Sequence, residues 1–215
     1  MAPAPLVRTV DALLELTVVP SFSRLGPAIR GPLAGWTDPP DDVLAGRRVV
    51  VTGATSGIGA AIARATAALG AEVVLVGRST ERGGAVRSQI ETAGGTATFR
   101  RCDLSEAEQV HGLADELASG PPIHALVHDA GALLERRQTS STGVEVTWAT
   151  MVVAPHLLTR RLADRVDRAI WMSSGGMYLQ ALDLDDWGWA RRPWDGTRAY
   201  AQAKRAQVDL VIVAD

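Results

Sequence analysis

The sequence predicts an α/β fold, a doubly wound parallel sheet in three layers, on three observations. Short apolar runs rich in β-branched residues recur along the chain, each is followed by a segment of helical periodicity, and the first junction between the two is a glycine-rich turn. Val49-Val50-Val51-Thr52 is short and continuously apolar, as expected of a strand covered on both faces. An Ala-rich helix follows over 57–69 and ends at Gly70, a residue suited to the left-handed conformation that closes helices. Val73-Val74-Leu75-Val76 supplies a second buried strand and completes one βαβ unit. The rhythm continues with a helix over 80–93, a strand over 96–100, a helix over 105–118, a strand over 125–128, a helix over 142–164 and a strand over 169–173. Strands that alternate with helices in this way lie parallel, with helices on both faces of the sheet.

At 215 residues, 47% hydrophobic and 21% charged, the chain has the length and composition of one globular domain with an appended segment. The regular alternation begins near residue 46. Before it lies a stretch punctuated by Pro20, Gly26, Pro27, Gly31, Pro32, Gly35, Pro39 and Pro40, so the chain divides into an extension over 1–45 and a domain over 46–215. Within the extension, 7–19 suits a short helix with Leu13, Leu14 and Leu16 inward, read as surface-packed or, alternatively, as facing a membrane or a partner. Asp11 and Glu15 interrupt its apolar stretches, which argues against a secretory signal. With 22 basic and 24 acidic side chains the formal charge is −2, so no basic field exists to attract a nucleic acid. No apolar run is long enough for a transmembrane segment. The single cysteine, Cys102, fits a reducing, cytoplasmic compartment, and four scattered His offer no metal site.

The junction after the first strand reads Thr52-Gly53-Ala54-Thr55-Ser56-Gly57-Ile58-Gly59. Gly53 permits the tight turn, Gly57 lets backbone approach a pyrophosphate, and Gly59 permits close helix–strand packing. The N–H groups and positive dipole end of the helix complete an anion site. A strand before and a helix after are the context that a Rossmann-type dinucleotide turn requires, and they place Thr55, Ser56 and Ile58 beside the ligand. No Lys-Ser or Lys-Thr follows, which excludes a P-loop. At the end of the second strand, Gly77-Arg78 stands where NAD-preferring folds place an acid for the ribose 2′-hydroxyl. A guanidinium instead matches a 2′-phosphate, so NADP is expected over NAD; the alternative is a solvated Arg at a strand end.

Tyr200 and Lys204 lie four apart and therefore on one face of a helix. A neighbouring ammonium favours the phenolate, which suits acid–base chemistry near neutral pH. Such pairs are common on solvated helices. What distinguishes this one is the preceding Ile170-Trp171-Met172-Ser173-Ser174, an apolar run that ends in two hydroxyls at the C-terminal end of a strand, where ligands sit in these sheets.

Together these residues resemble the short-chain dehydrogenase/reductase family over about 46–208. The motifs fall in the family's order: the glycine turn, Cys102-Asp103-Leu104 after the third strand, Ala130-Gly131 after the fourth, the Ser strand, then Tyr-x-x-x-Lys. The chain is most similar to the subgroup around dehydrogenase/reductase member 12, on Val146-Thr147-Trp148-Ala149-Thr150, Ser173-Ser174-Gly175-Gly176-Met177-Tyr178 and Tyr200 to Gln207. The resemblance implies an NADP-dependent oxidoreductase acting on a small carbonyl or secondary alcohol. Tyr200 would be its proton donor or base, Ser174 would hold the substrate oxygen, and Lys204 would bind the nicotinamide ribose. Asp103 would accept from the adenine amino group with Leu104 beside the ring, and Asp129-Ala130-Gly131 would pass near the adenosine ribose. It also implies pairing of two copies through the helices over 142–164 and from 199 onward.

Three departures from the family pattern carry a second reading, a weak or inactive dinucleotide-binding protein. Asp129 replaces a common Asn, Met151 stands where the family has a catalytic Asn, and the chain stops at Asp215, short of the family's further strands and lid. Residues 209–215 have room to finish a helix or form one strand, leaving a sheet edge uncovered. A sugar-nucleotide epimerase or dehydratase shares the Tyr/Lys pair but normally differs in glycine spacing. The segment over 183–194, with Trp187, Trp189, Trp194, Arg191 and Arg192, reads as a substrate-side loop or as plain packing.

Overall fold

The computed structural model of the chain describes Thr9, Ala12 and residues 25–214, the side chains of 212–214 excepted. Apart from Thr9 and Ala12, which are helical, the helix expected over 7–19 lies outside the described residues. The chain forms two compact units, Met1–Pro40 and Asp41–Asp215. In the first, α1 spans Leu25–Ala34, within the stretch read above only as punctuated by Pro and Gly. Pro27 falls in the first turn, where its missing N–H costs nothing, and Pro32 falls two residues before the end. Gly35, at φ 66°, closes the helix as Trp36 N–H donates to the Gly31 carbonyl at 2.9 Å.

The second unit is the expected parallel sheet. Its strands are β1 (Arg48–Thr52), β2 (Glu72–Gly77), β3 (Thr96–Arg101), β4 (Ala125–His128) and β5 (Ala169–Trp171), in the order β3-β2-β1-β4-β5. All pairings are parallel. Four helices flank them: α2 (Gly57–Ala68), α3 (Thr80–Thr92), α4 (Ala107–Ser119) and α5 (residues 146–161); α6 (Gly196–Ala214) follows β5. Alternate strand residues enter opposite cores, as a period of two requires. Val49, Val51, Val73, Leu75 and Val127 pack with Ala60, Ala63 and Ala67 of α2 and Val86 and Ile90 of α3. Val50, Val74, Val76 and Leu126 pack on the other face with Val110, Leu113 and Leu117 of α4 and Leu158 of α5. The result is three layers.

α5 departs from expectation, and the last segment takes the helical one of its two expected forms. α5 begins at Val146 rather than 142, because Thr139 pairs with Glu145 in an antiparallel bridge and Glu145 then caps the helix, accepting from the Thr147 and Trp148 N–H groups at 2.7 and 2.8 Å. Between Val146–Trp148 and Ala154–Arg161, α5 widens into a π-helical stretch, Ala149–Val153. The last segment continues α6 as helix to Ala214. β5 is an edge strand, with Ala169 and Ile170 exposed.

Candidate active site

The strand order reverses between β1 and β4, and the turns leaving the strand C-terminal ends converge there on a groove of about 440 Å³. Its floor is the β1–α2 turn. Thr52 Oγ accepts from the backbone N–H groups of Asp129 and Ala130, at 3.2 and 3.3 Å, and donates to the Val127 carbonyl at 3.2 Å, tying the ends of β1 and β4 together. The turn then runs so close to Ala130 that a Cβ at Gly53 would lie 2.8 Å from the Ala130 Cα, and Gly53 adopts φ 72°. Gly59 is equally tight, with a Cβ there falling 2.5 Å from the Gly53 carbonyl oxygen. Gly57 is the opposite case: at φ 55° its missing Cβ would point into open space. Ser56 caps α2 in extended conformation without using its hydroxyl. Thr55, Ser56 and Ile58 line the groove, and the Thr55 side chain occupies the space a Cβ on Gly77 would need.

Arg78, after β2, lines the same groove, and so does Arg82 in the first turn of α3. Arg82 had no signal in the strand–turn motif. Only the start of α3, capped by Ser79 accepting from the Arg82 N–H at 3.2 Å, places it one turn above Arg78. After β3, Asp103 and Leu104 reach the groove, Leu104 as part of the core beneath it. One oxygen of Asp103 holds Ser105, accepting from its N–H at 3.0 Å and its hydroxyl at 2.7 Å. Burial, helped by Asp103, pushes the neighbouring Cys102 thiol up to about 11, so it stays protonated.

The far wall comes from β4, β5 and α6. Asp129, Ala130 and Gly131 follow β4, while Tyr200 and Lys204 enter from α6. Lys204 is buried, its Nζ donates to the Met172 carbonyl just after β5, and it stands 5.8 Å from the Tyr200 ring centroid. Burial lowers the Lys204 ammonium below its ordinary range, and Asp129 opposes that shift. Asp129 responds in kind. Burial raises its carboxyl above the usual carboxylate range, against the pull of Lys204 and of a hydrogen bond from the Gly59 N–H. The acid therefore sits between the α2 N-terminus and the ammonium.

Of the two serines after β5, Ser173 lines the groove. Ser174 Oγ accepts from the Gly176 N–H at 3.1 Å and caps a short 3-10 turn, Gly175–Leu179. It still faces Tyr200 across Gly176: a Cβ on that glycine would meet Ser174 Oγ at 3.4 Å and Tyr200 Cε1 at 3.7 Å. Thr150, from the π-helical stretch, also reaches the groove.

A family model described as short chain dehydrogenase matches residues 47–174. The chain belongs to the short-chain dehydrogenase family. Human dehydrogenase/reductase SDR family member 12 is 34% identical over 172 residues, which is 77% of this chain and 54% of that protein. Mouse polyprenol dehydrogenase is 32% identical over 212 residues, 93% of this chain and 62% of that protein. A solved metagenomic short-chain oxidoreductase in complex with NADP superposes with a TM-score of 0.59 at 30% identity, over 80% of this chain and 76% of that one. The chain spans about half to three fifths of the length of the curated relatives it matches.

In this short-chain dehydrogenase chain, Met151 is fully buried, with its sulfur behind the far wall of the groove: a Cβ on Gly131 would lie 3.9 Å from Met151 Sδ and 3.8 Å from Tyr200 Cε2. The 183–194 segment does not line the groove. Arg192 pairs with Asp183 at 3.0 Å and covers the Trp189 ring at 3.7 Å, while Trp187 stacks at 5.5 Å on Trp148 of α5. Gln202 of α6, fully buried, donates to the carbonyls of Asp183 and Trp187 and accepts from Arg192. Among the described residues no cluster of His, Cys, Asp and Glu is placed to hold a metal ion, and no helix is long and apolar enough to cross a membrane.

Proposed function

We propose that this chain binds NADP(H) and transfers hydride between its nicotinamide and a carbonyl or secondary alcohol. The observation that carries the reading is the opening of the Tyr200–Lys204 pair into the same groove as the glycine turn and the arginines. The residues fit a dinucleotide. The open cradle at Gly57 and the α2 N-terminus suit a pyrophosphate, and Arg78 with Arg82 offers two guanidinium groups for a 2′-phosphate. When bound, the cofactor supplies the hydride acceptor or donor. The chain supplies the rest: Tyr200 moves the proton at the substrate oxygen, Ser174 orients that oxygen, and Lys204 holds ribose. Gly57, Thr55, Ser56 and Ile58 hold the pyrophosphate side on a turn that Gly53 and Gly59 keep tight, Asp103, Leu104, Ala130 and Gly131 hold the adenosine side, and Asp129 lies against the cofactor between the α2 N-terminus and Lys204.

The test is a titration of the purified chain with NADPH and NADH, following tryptophan quenching and the thermal midpoint. NADPH is expected to bind at least about tenfold tighter than NADH, since each charge-assisted hydrogen bond to the phosphate contributes about 1.5–3 kcal/mol. Arg78→Ala with Arg82→Ala should erase that preference and leave NADH binding unchanged. Equal affinities in the unaltered protein would overturn the choice of NADP, and no binding of either would overturn the oxidoreductase reading.

A further inference from the structure

Gln207 of α6 is buried, and its Nε2 donates a 2.7 Å hydrogen bond to the backbone carbonyl of Met151, 56 residues away in α5. That carbonyl belongs to the π-helical stretch Ala149–Val153, where the ordinary helical ladder is interrupted and carbonyls look for partners outside it. Three residues earlier on the same helix, Lys204 donates to the Met172 carbonyl beyond β5. Residues three apart share a helix face, so α6 is bound at successive turns to α5 by Gln207 and to the end of β5 by Lys204. Residue 151 also connects the two sites directly. Its carbonyl holds Gln207, and its side chain packs with Gly131 and the Tyr200 ring behind the far wall of the groove. The only use the described residues make of this amide is as a donor, because Gln207 Oε1 has no partner among them.

We propose that Gln207 is a positioning residue: by clamping the π-helical carbonyl of Met151 to α6, it sets where Lys204 and Tyr200 stand relative to the cofactor groove. The inference rests on the reading of Lys204 as the group that holds the cofactor ribose. A displacement of about 1 Å at such a pair degrades binding and reaction geometry, and a buried amide anchored to backbone is a device that prevents it.

The experiment is a double-mutant cycle on NADPH affinity, measured by tryptophan quenching in the unaltered protein, Gln207→Leu, Lys204→Met and the double variant. If Gln207 acts through Lys204, Gln207→Leu weakens NADPH about fivefold or more when Lys204 is present and less than about twofold when it is absent. A residue that only supports the fold would weaken binding by the same factor in both backgrounds, and that result, or no change in either, overturns the proposal. Should Gln207→Leu fail to melt cooperatively, Gln207→Asn, whose amide is one methylene too short, takes its place with the same expectation. If the unaltered chain binds no NADPH, the oxidoreductase reading fails on its own. The clamp is then judged by the Met151 ε-methyl resonance, which Gln207→Leu must move together with the Tyr200 ring signals; an unmoved resonance refutes it.

Discussion

Between β1 and β4 the groove is built from backbone; between β5 and α6 it is built from side chains. On the first side, Thr52 ties two strand ends, Gly53 packs on Ala130 without room for a methyl group, and Gly59 sits on the Gly53 carbonyl. On the second, the position of Tyr200 depends on Lys204 reaching Met172, Gln207 reaching Met151 and Gln202 reaching the 183–194 segment. The strands differ in the same sense, β1 and β4 being buried almost throughout while β5 is short and partly exposed. A dinucleotide is the same molecule in every such fold, so the surface that receives it can be backbone. A reacting oxygen needs particular functional groups, and those must be held from further away.

The largest expected effect separates the two sides. Tyr200→Phe removes one hydroxyl from the side-chain wall and should lower carbonyl reduction by about 10² to 10⁴-fold, the range for a positioned proton donor. NADPH affinity should stay within about twofold, because the glycine turn and the arginines are untouched. The check is NADPH consumption against a panel of ketones and aldehydes, with affinity measured in parallel. A variant that loses cofactor binding to the same extent would mean that the two regions are not separable.

Within the backbone-built side, two glycines with left-handed φ should behave oppositely. Gly53→Ala would place a methyl group 2.8 Å from the Ala130 Cα, where only backbone can yield, and should cost about 2–4 kcal/mol of stability in urea unfolding. Gly57→Ala meets nothing and should cost about 1 kcal/mol for its conformation alone, yet weaken NADPH by tenfold or more, because the methyl group enters the open space proposed to receive phosphate. Equal stability losses at the two positions would refute the assignment of one glycine to packing and the other to ligand.

The same division explains what could be read from the sequence. Glycines at a strand–helix junction, continuous β-branched runs and a Tyr/Lys pair at helical spacing are local patterns, and they located all five strands to within two residues and the groove's floor. Arg82 was hidden because a helix start, not a motif, brings it beside Arg78. Gln202 and Gln207 were invisible because their amides donate to backbone carbonyls 15 to 56 residues away, and a carbonyl has no letter in the sequence. α1 was missed because Pro27 was counted as a breaker when, in a first turn, it is not one. The start of α5 moved to 146 because Glu145, whose carboxylate caps the helix, reads in sequence as one more polar residue of its periodicity.

A pH dependence tests the seam between the two regions. His128 ends β4, is buried, shares a 2.9 Å hydrogen bond from Nε2 with Thr159 Oγ of α5, and meets the Trp171 ring of β5 edge-on at 5.0 Å. Its Nδ1 has no partner among the described residues, and burial pushes its pKa down to about 3. The folded chain therefore keeps His128 neutral while the unfolded chain takes up a proton near pH 6.5. Stability from this residue is complete above that pH and falls as pH drops toward 3, by about 1.4 kcal/mol per unit once below 6.5, or about 2 kcal/mol at pH 5. Asp129 acts in the opposite sense. Its raised carboxyl lets the folded chain bind a proton more readily than the unfolded one, so it gains stability on acidification. Comparing urea unfolding at pH 7 and pH 5 for the unaltered protein and His128→Gln cancels Asp129 and isolates His128. The unaltered chain should lose about 2 kcal/mol more than the variant over that interval. An equal loss in both would mean that His128 already takes up its proton in the folded chain, so that water reaches the seam between β4 and β5.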